Sequence, residues 1–152
     1  MTLRPAVRVL LVDDYEPFRQ FVCSMLSKAP GLQVIGEVSD GLEAVQRAEE
    51  LKPDLILLDI GLPKLNGLEA ASRIGRVAPS SKIIFVTNEN GSDVVHAALS
   101  NGARGYVLKS DARSELLWAL ETVLGGGRFV STRVEDCDFT DTTDADCLSC
   151  AN

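Results

Sequence analysis

Five side chains that can handle a phosphoryl group or its metal ion stand at the ends of short apolar runs in this sequence. Asp13 and Asp14 follow one run, Asp59 follows another, Thr87 ends a third and Lys109 follows a fourth. If these runs are parallel strands of one open sheet, their carboxyl ends lie at a common edge, where such sheets bind ligands. The sequence therefore predicts one small site that combines three carboxylates, a hydroxyl and an ammonium group.

The three carboxylates restrict the chemistry of this site. Two carboxylates ~4 Å apart repel each other by roughly 4 kcal/mol at an effective dielectric constant of about 20. The cluster therefore needs a cation, a shared proton or shifted pKa values. Hard oxygen ligands select Mg²⁺ or Mn²⁺, with water completing the octahedron. Taken alone, Asp13 and Asp14 fit a turn and a helix cap about as well, but Asp59 and Lys109 favour the metal site.

The elements that must position these side chains can be read from the hydrophobic pattern. Short apolar runs alternate with amphipathic stretches, which is typical of repeated βα units. The predicted strands are Val7–Val12, Leu32–Val38, Leu55–Leu58, Lys82–Thr87 and Gly105–Leu108. A helix is predicted after each strand, the first over residues 17–28 and the last ending at the glycines 125–127. The sequence therefore predicts an α/β fold with a parallel sheet.

The composition of the 152-residue chain fits a single globular domain. The net charge of −7 argues against a nucleic-acid-binding surface, which needs concentrated basic side chains. No apolar run is long enough to span a bilayer, and residues 1–6 lack the apolar stretch of a signal peptide. We therefore expect a cytoplasmic protein with no membrane contact, no direct DNA binding and reduced cysteines.

The character of the chain changes at Arg128. Between residues 128 and 152, six acidic residues accompany two arginines, so this stretch carries −4 of the total charge of −7. Its apolar residues are too sparse to form a core, and its three cysteines, without a histidine, do not complete a zinc site. We expect one domain over residues 1–127, followed by a flexible acidic tail over residues 128–152.

The ordered set of polar residues resembles the receiver domain of two-component response regulators. The resemblance covers roughly residues 7–126 and rests on Asp13-Asp14, Asp59 with Pro63 and Gly67, Thr87, Tyr106 and Lys109. It implies a flavodoxin-like, doubly wound (βα)5 fold, with a five-stranded parallel sheet in the order 2-1-3-4-5.

Residues 105–110 and the glycines 125–127 are similar to one branch of this family. Members of that branch usually continue into a LuxR-type helix-turn-helix DNA-binding domain. The residues after 127 are too few and too acidic for such a domain. We therefore expect a stand-alone receiver.

The resemblance implies a role for each acidic residue. Asp59 would accept a phosphoryl group from a histidine kinase or a phosphotransfer protein. Asp14, Asp59 and the main-chain carbonyl of Gly61 would bind Mg²⁺ (or Mn²⁺) directly. Asp13 would bind the ion directly or through water.

Lys109 and Thr87 would each bind one phosphoryl oxygen. Thr87 and Tyr106 would form a switch, in which the threonine moves toward the phosphoryl group, the ring turns inward and a protein-interaction face changes. Alone, these residues also fit a solvated lysine, a β-branched strand residue and a half-buried strand aromatic. The resemblance thus implies a signalling phosphoacceptor that catalyses only its own phosphorylation and dephosphorylation. Its downstream partner is unknown, and a phosphorylation-dependent homodimer is left open.

Two other functions fit parts of the sequence. A degenerate receiver would act as a phosphorylation-independent interaction scaffold, and the large side chain of Asn88, beside Thr87, leaves room for this alternative. A flavodoxin-like cofactor domain would need a phosphate-cradling loop after the first strand. The loop present there begins with Asp13 and Asp14, which repel phosphate unless a metal ion intervenes.

Three positions beside the site depart from the family pattern or have no clear role. Asn88 stands where the family generally has a small residue, and Ser110 stands where many members have a cis proline. We expect a trans bond before Ser110, because a cis bond without proline costs ~2.5–4 kcal/mol. We expect Glu89 at the mouth of the site.

Overall fold

The structure is a computed structural model in which residues 6–135 are described. Its elements are β1 (Val7–Val12), α1 (Glu16–Ser27), β2 (Leu32–Val38), α2 (Gly41–Leu51), β3 (Leu55–Leu58), α3 (Gly67–Val77), β4 (Lys82–Thr87), α4 (Ser92–Ser100), β5 (Gly105–Leu108), a 3-10 turn (Lys109–Asp111), α5 (Ala112–Leu124), β6 (Phe129–Val130) and α6 (Thr132–Glu135). The strands of this part of the chain form one parallel sheet in the order β2-β1-β3-β4-β5-β6. The predicted α/β fold and strand order 2-1-3-4-5 are confirmed, and the five predicted strands have the predicted bounds.

The sheet is covered by helices on both faces. Successive side chains of a strand point to opposite faces of the sheet. Leu10 and Ile56 therefore belong to the core under α2, α3 and α4, whereas Leu11 and Leu57 belong to the core under α1 and α5. All four residues of β3 are buried, which is typical of a central parallel strand. Among residues 6–135, no helix is both long and apolar enough to cross a membrane.

The sheet continues beyond residue 127, where the sequence predicts the end of the domain. Phe129 and Val130 pair with β5, and Val134 is buried in the core that α2, α3 and α4 share. Phe129 also packs edge-to-face against Trp118, with the ring centroids 4.9 Å apart. The prediction of a flexible tail is therefore wrong for residues 128–134, because their few apolar side chains cover the edge of β5. The rest of the predicted acidic tail, residues 136–152 with their cysteines, lies outside the described residues.

The loop between β3 and α3 lies close to two glycines. A Cβ atom at Gly67 would overlap the carbonyl oxygen of Asp59, and one at Gly41 would overlap the carbonyl oxygen of Leu65. The amide of Gly41 also donates to the carbonyl of Pro63, at 3.2 Å. These contacts hold the loop against the start of α2 and thereby fix the main chain that follows β3.

We predict that Gly41→Ala lowers the free energy of unfolding by about 1–3 kcal/mol, because the added methyl group overlaps the Leu65 carbonyl. Gly75→Ala is the matched control, since Gly75 also lies in a helix but has open space around its Cβ position. That substitution should leave stability unchanged or raise it by up to ~1 kcal/mol. Urea unfolding followed by circular dichroism measures both. Equal effects of the two substitutions would contradict the close approach at Gly41.

Candidate functional site

The three aspartates come together at the carboxyl edge of the sheet. Asp13 and Asp14 follow β1, Asp59 follows β3, and these strands are neighbours with Val12 paired to Leu58. One carboxylate oxygen of each aspartate lies within 4.8 Å of the others. Asp13 and Asp59 are buried, whereas Asp14 is exposed. The predicted convergence of the acidic side chains is thus present.

Lys109 joins this cluster from the end of β5, two strands away from Asp59. Its Nζ donates to Asp13 Oδ2 at 2.8 Å and to Asp59 Oδ2 at 3.2 Å. The same ammonium lies 4.8 Å from the centre of the Phe18 ring, a distance that allows a cation–π interaction. Lys109 therefore bridges the two buried carboxylates. Three carboxylates and one ammonium still leave the cluster with a net charge of −2 when all four groups are ionised.

The pKa values of this cluster follow from burial and from the lysine bridge. Burial raises the pKa of Asp13 and the nearby charge of Asp59 adds to this effect, while hydrogen bonds from Lys109 and from the Tyr15 amide oppose it. Burial alone would lower the pKa of Lys109. Its hydrogen bond to Asp13 and the charge of Asp59 outweigh burial, so the pKa of Lys109 is raised. The ammonium therefore stays charged at neutral pH.

Thr87 and Tyr106 are linked through the main chain of Glu89. Thr87 is buried at the end of β4, and its Oγ1 accepts a hydrogen bond from the Glu89 amide at 3.3 Å. Tyr106 is fully buried, and its hydroxyl donates to the Glu89 carbonyl at 2.7 Å. Burial is the main cause of its raised pKa, to which the charges of Glu89 and Asp59 add. The ring therefore lies inward in this structure, not half-buried with its hydroxyl in water.

An open pocket gives access to the cluster. It is lined by Asp14, Tyr15, Phe18, Asp59, Gly61, Thr87, Asn88, Glu89, Lys109 and Ser110. All predicted site residues except Asp13 and Tyr106 therefore face this pocket, and Glu89 lies beside it as expected. No cis peptide bond occurs within residues 6–135, so the bond before Ser110 is trans as predicted.

Sequence reasoning missed two aromatic residues of the pocket. Phe18 has the spacing of a helix core residue, which hides its second contact with Lys109. Tyr15 is largely exposed and carries no motif that would single it out. The link through Glu89 was also missed, because it uses main-chain groups that every residue possesses.

The competing interpretation of Asp13 and Asp14 as turn and cap residues is correct in part. Asp13 Oδ1 accepts a hydrogen bond from the Tyr15 amide at 2.8 Å, which shapes the turn after β1. Helix α1 begins at Glu16, and no side-chain hydrogen bond caps it. Asp13 thus shapes the turn with one oxygen and contacts Lys109 with the other.

The donor set fits a small divalent cation. Three carboxylates meet within reach of one ion, and the pocket wall includes Gly61, whose carbonyl is predicted as a further ligand. Hard oxygen donors with access to water suit Mg²⁺. A doubly charged ion would also neutralise the residual charge of −2.

Comparison with known proteins identifies the family of this chain. The sequence profile of the response regulator receiver domain matches residues 9–121. The chain belongs to the response regulator receiver domain family. Its fold and its two-component signalling class, as predicted from the sequence, are thereby confirmed.

Individual relatives support the LuxR-type branch. Response regulator GacA of Pseudomonas viridiflava is 36% identical over 128 residues, covering 84% of this chain and 60% of that protein. The nitrate/nitrite response regulator protein NarL of Escherichia coli (strain K12) is 37% identical over 131 residues, covering 86% and 61%. The crystal structure of a LuxR-family two-component response regulator from Aurantimonas sp. SI85-9A1 has a TM-score of 0.82 at 33% identity, covering 86% of this chain and 93% of that one. The chain spans about 60% of the length of the two curated relatives.

We predict that Asp13→Asn stabilises the metal-free receiver at pH 7, by on the order of 1 kcal/mol in the free energy of unfolding. A raised pKa means that the folded chain binds the proton more tightly than the unfolded chain. Ionised Asp13 therefore destabilises the fold. The loss of stability grows as the pH rises from 3.8, the ordinary pKa of the side chain, through its raised pKa in the folded chain. Lys109 keeps Asp59 as its partner in the variant.

Urea unfolding in EDTA measures this effect, with Asp93→Asn as the control. Asp93 is an exposed carboxylate in the first turn of α4, so its substitution should change stability by no more than ~0.5 kcal/mol. Added Mg²⁺ should stabilise the wild type more than Asp13→Asn, because the variant has lost one carboxylate. A destabilised Asp13→Asn protein in EDTA would contradict the electrostatic account.

Proposed function

We propose that this receiver is phosphorylated reversibly on Asp59 by a histidine kinase or a phosphotransfer protein, with Mg²⁺ as cofactor. Membership of the family makes this receiver domain a signalling phosphoacceptor. The observation that carries the choice of Asp59 is its position: it is buried, faces the open pocket, and has Lys109 Nζ 3.2 Å from its Oδ2.

The other two aspartates are less suited to accept the phosphoryl group. Both oxygens of Asp13 are occupied, one by the Tyr15 amide and one by Lys109, and Asp13 does not line the pocket. Asp14 is exposed, so water competes for its oxygens. Asp59 Oδ1 is fixed by a 2.7 Å hydrogen bond from the Ile60 amide, which orients the carboxylate. Its Oδ2 then remains as the attacking atom once Lys109 shifts toward the incoming phosphoryl group.

The remaining site residues would stabilise the transferred group. The bond from phosphorus to the donor histidine breaks as the bond to an Asp59 oxygen forms, and negative charge spreads over three equatorial oxygens. Asp14, Asp59 and the Gly61 carbonyl would hold Mg²⁺, with Asp13 as a direct or water-mediated ligand, and the ion would supply positive charge at one oxygen. The Lys109 ammonium and the Thr87 hydroxyl would contact the other two. Transfer then depends chiefly on positioning and charge.

The link through Glu89 provides a route from phosphorylation to output. When Thr87 turns its hydroxyl toward the phosphoryl group, its contact with the Glu89 amide breaks. The loop between β4 and α4 then depends more strongly on the bond from Tyr106 to the Glu89 carbonyl, which would stabilise the inward ring seen in this structure against an outward one. The face formed by α4, β5 and α5 would change as a result. We propose that this face binds a downstream protein, since the excess of acidic residues disfavours DNA as a direct partner.

We predict that a small phosphodonor such as acetyl phosphate with Mg²⁺ adds one phosphoryl group to the wild-type chain, and that Asp59→Asn abolishes the addition. The adduct should be stable in acid and labile in base, as expected of an acyl phosphate. Intact-protein mass spectrometry measures it, and peptide mapping locates it. Excess EDTA should suppress the reaction, because the carboxylate cluster then lacks its counter-ion.

Asp54→Asn is the matched control for the phosphorylation test. Asp54 lies just before β3, at the opposite end of the strand from Asp59, and its carboxylate accepts a hydrogen bond from the Arg8 amide. This variant should react like the wild type. A wild-type chain that stays unmodified, or an adduct that persists in Asp59→Asn, would overturn the proposed function.

A further inference from the structure

A buried carboxylate on α5 plays no part in the site described above. Glu115 is only 8% exposed. Its Oε1 accepts a 2.7 Å hydrogen bond from the Ser131 hydroxyl, and its Oε2 accepts a 3.0 Å bond from the Thr132 hydroxyl. A carboxylate is costly to bury without such donors. Two consecutive hydroxyl residues after β6 therefore hold one carboxylate of α5.

Ser131 connects this carboxylate to the strand that leads into the site. It is completely buried, its amide donates to the Tyr106 carbonyl at 2.8 Å, and its Oγ accepts from the Leu108 amide at 3.0 Å. Since its single hydroxyl proton points to Glu115, a lone pair of the oxygen is left for Leu108. Glu115 thus fixes the orientation in which Ser131 can accept this bond.

The side chain of Ser131 replaces a strand bond that the main chain does not make. Strand β6 contains only two residues, and the chain enters α6 at Thr132. The Phe129 amide donates to the Arg104 carbonyl, and the Ser131 amide donates to the Tyr106 carbonyl. In a parallel pair of strands, the next donor along β5 is then the Leu108 amide. The Ser131 hydroxyl accepts that bond. The end of β5 is therefore held on this side by a side chain.

This contact lies next to the lysine of the site. Leu108 is the last residue of β5, and Lys109 must keep its Nζ within hydrogen-bonding distance of both Asp13 and Asp59. The 3-10 turn that begins at Lys109 runs directly into α5, which carries Glu115. The network of Glu115 and Ser131 therefore holds the chain on both sides of Lys109.

We infer that Ser131 and Glu115 are positioning residues for Lys109 in the phosphorylation reaction. Ser131 fixes the Leu108 amide, and Glu115 fixes the Ser131 hydroxyl. This inference rests on the proposed function. It extends the functional unit to residues beyond 127, which the sequence alone predicts to be a tail.

The test compares Ser131→Ala with Thr132→Ala in the full chain. Both substitutions remove one hydrogen bond to the same carboxylate, but only Ser131 contacts Leu108. Hydrogen exchange of the Leu108 amide, followed by NMR, should be roughly tenfold faster in Ser131→Ala. The rate of Mg²⁺-dependent phosphorylation by acetyl phosphate should fall roughly tenfold in the same variant. Thr132→Ala should stay within about twofold of the wild type in both measurements.

A second variant covers the case in which Ser131→Ala does not fold. Ser131→Ala combined with Glu115→Gln removes the buried charge that would otherwise lose a donor. It should show the same two changes. Glu115→Ala alone removes the acceptor of the Ser131 hydroxyl and should change both rates in the same directions, whereas Glu115→Gln keeps an oxygen acceptor and should change them less. All rates are measured well below the unfolding temperature of each variant.

The outcomes separate a positioning role from a structural one. If Leu108 exchanges faster but phosphorylation keeps its wild-type rate, the network only stabilises the fold and the inference is overturned. Unchanged Leu108 exchange in Ser131→Ala overturns it as well. If the wild type itself is not phosphorylated, the proposed function fails. In that case, the NMR chemical shifts of the Lys109 side chain in metal-free protein test the positioning role. Shifts that differ between Ser131→Ala and the wild type support it, and identical shifts overturn it.

Discussion

The Lys109 ammonium lies between the buried carboxylates of Asp13 and Asp59, and the chemistry of the site depends on this contact. The lysine offsets only one of three negative charges that meet at the sheet edge. Folding therefore brings together groups that repel one another, and a divalent cation is the simplest means of neutralising the rest. The same residual charge that destabilises the fold would give a bound metal ion its binding energy. Phosphorylation would use the cation and the lysine together, because both face the charge that arrives with the phosphoryl group.

The strand order explains why each residue type stands where it does. The acidic residues follow β1 and β3, which are neighbours, so short side chains are enough to bring the carboxylates together. Thr87 ends β4, the next strand. Lys109 follows β5, two strand spacings or roughly 10 Å from β3. A long side chain is required to cover that distance, and its main-chain origin must be held firmly if the ammonium is to arrive at the right place. The contact of Ser131 with Leu108 meets this requirement.

The strands and the convergence of charged residues could be predicted because both follow from local patterns. A fully apolar run such as Leu55–Leu58 marks a buried strand, and the carboxyl ends of parallel strands necessarily share an edge. The last strand could not be predicted in this way. This strand contains only Phe129 and Val130, and an acidic stretch that resembles a tail follows it. Their pairing depends on the exposed edge of β5, which exists only once the sheet has formed.

The contacts that refine the site were hidden for a related reason. The Tyr106 hydroxyl donates to a main-chain carbonyl, and the Ser131 hydroxyl accepts a hydrogen bond from a main-chain amide. Because every residue has these main-chain groups, no sequence motif indicates either partner. Glu115 has the spacing of an ordinary helix residue, and its burial becomes apparent only from the packing of β6 and α6. Phe18 serves both as a core residue of α1 and as a neighbour of the Lys109 ammonium. Sequence periodicity predicts the first role and does not indicate the second.

We propose that the fold holds three carboxylates at one edge of the sheet and that one divalent cation neutralises them, so that Asp59 can take up phosphorus. A crystal structure of the chain grown with Mg²⁺ and beryllofluoride tests it most directly. The account predicts beryllofluoride on an Asp59 oxygen, with Mg²⁺ bound by Asp14, Asp59 and the Gly61 carbonyl, and with Lys109 on a fluorine atom. Beryllofluoride absent from Asp59, or Mg²⁺ bound elsewhere while the three aspartates stay together, would contradict it.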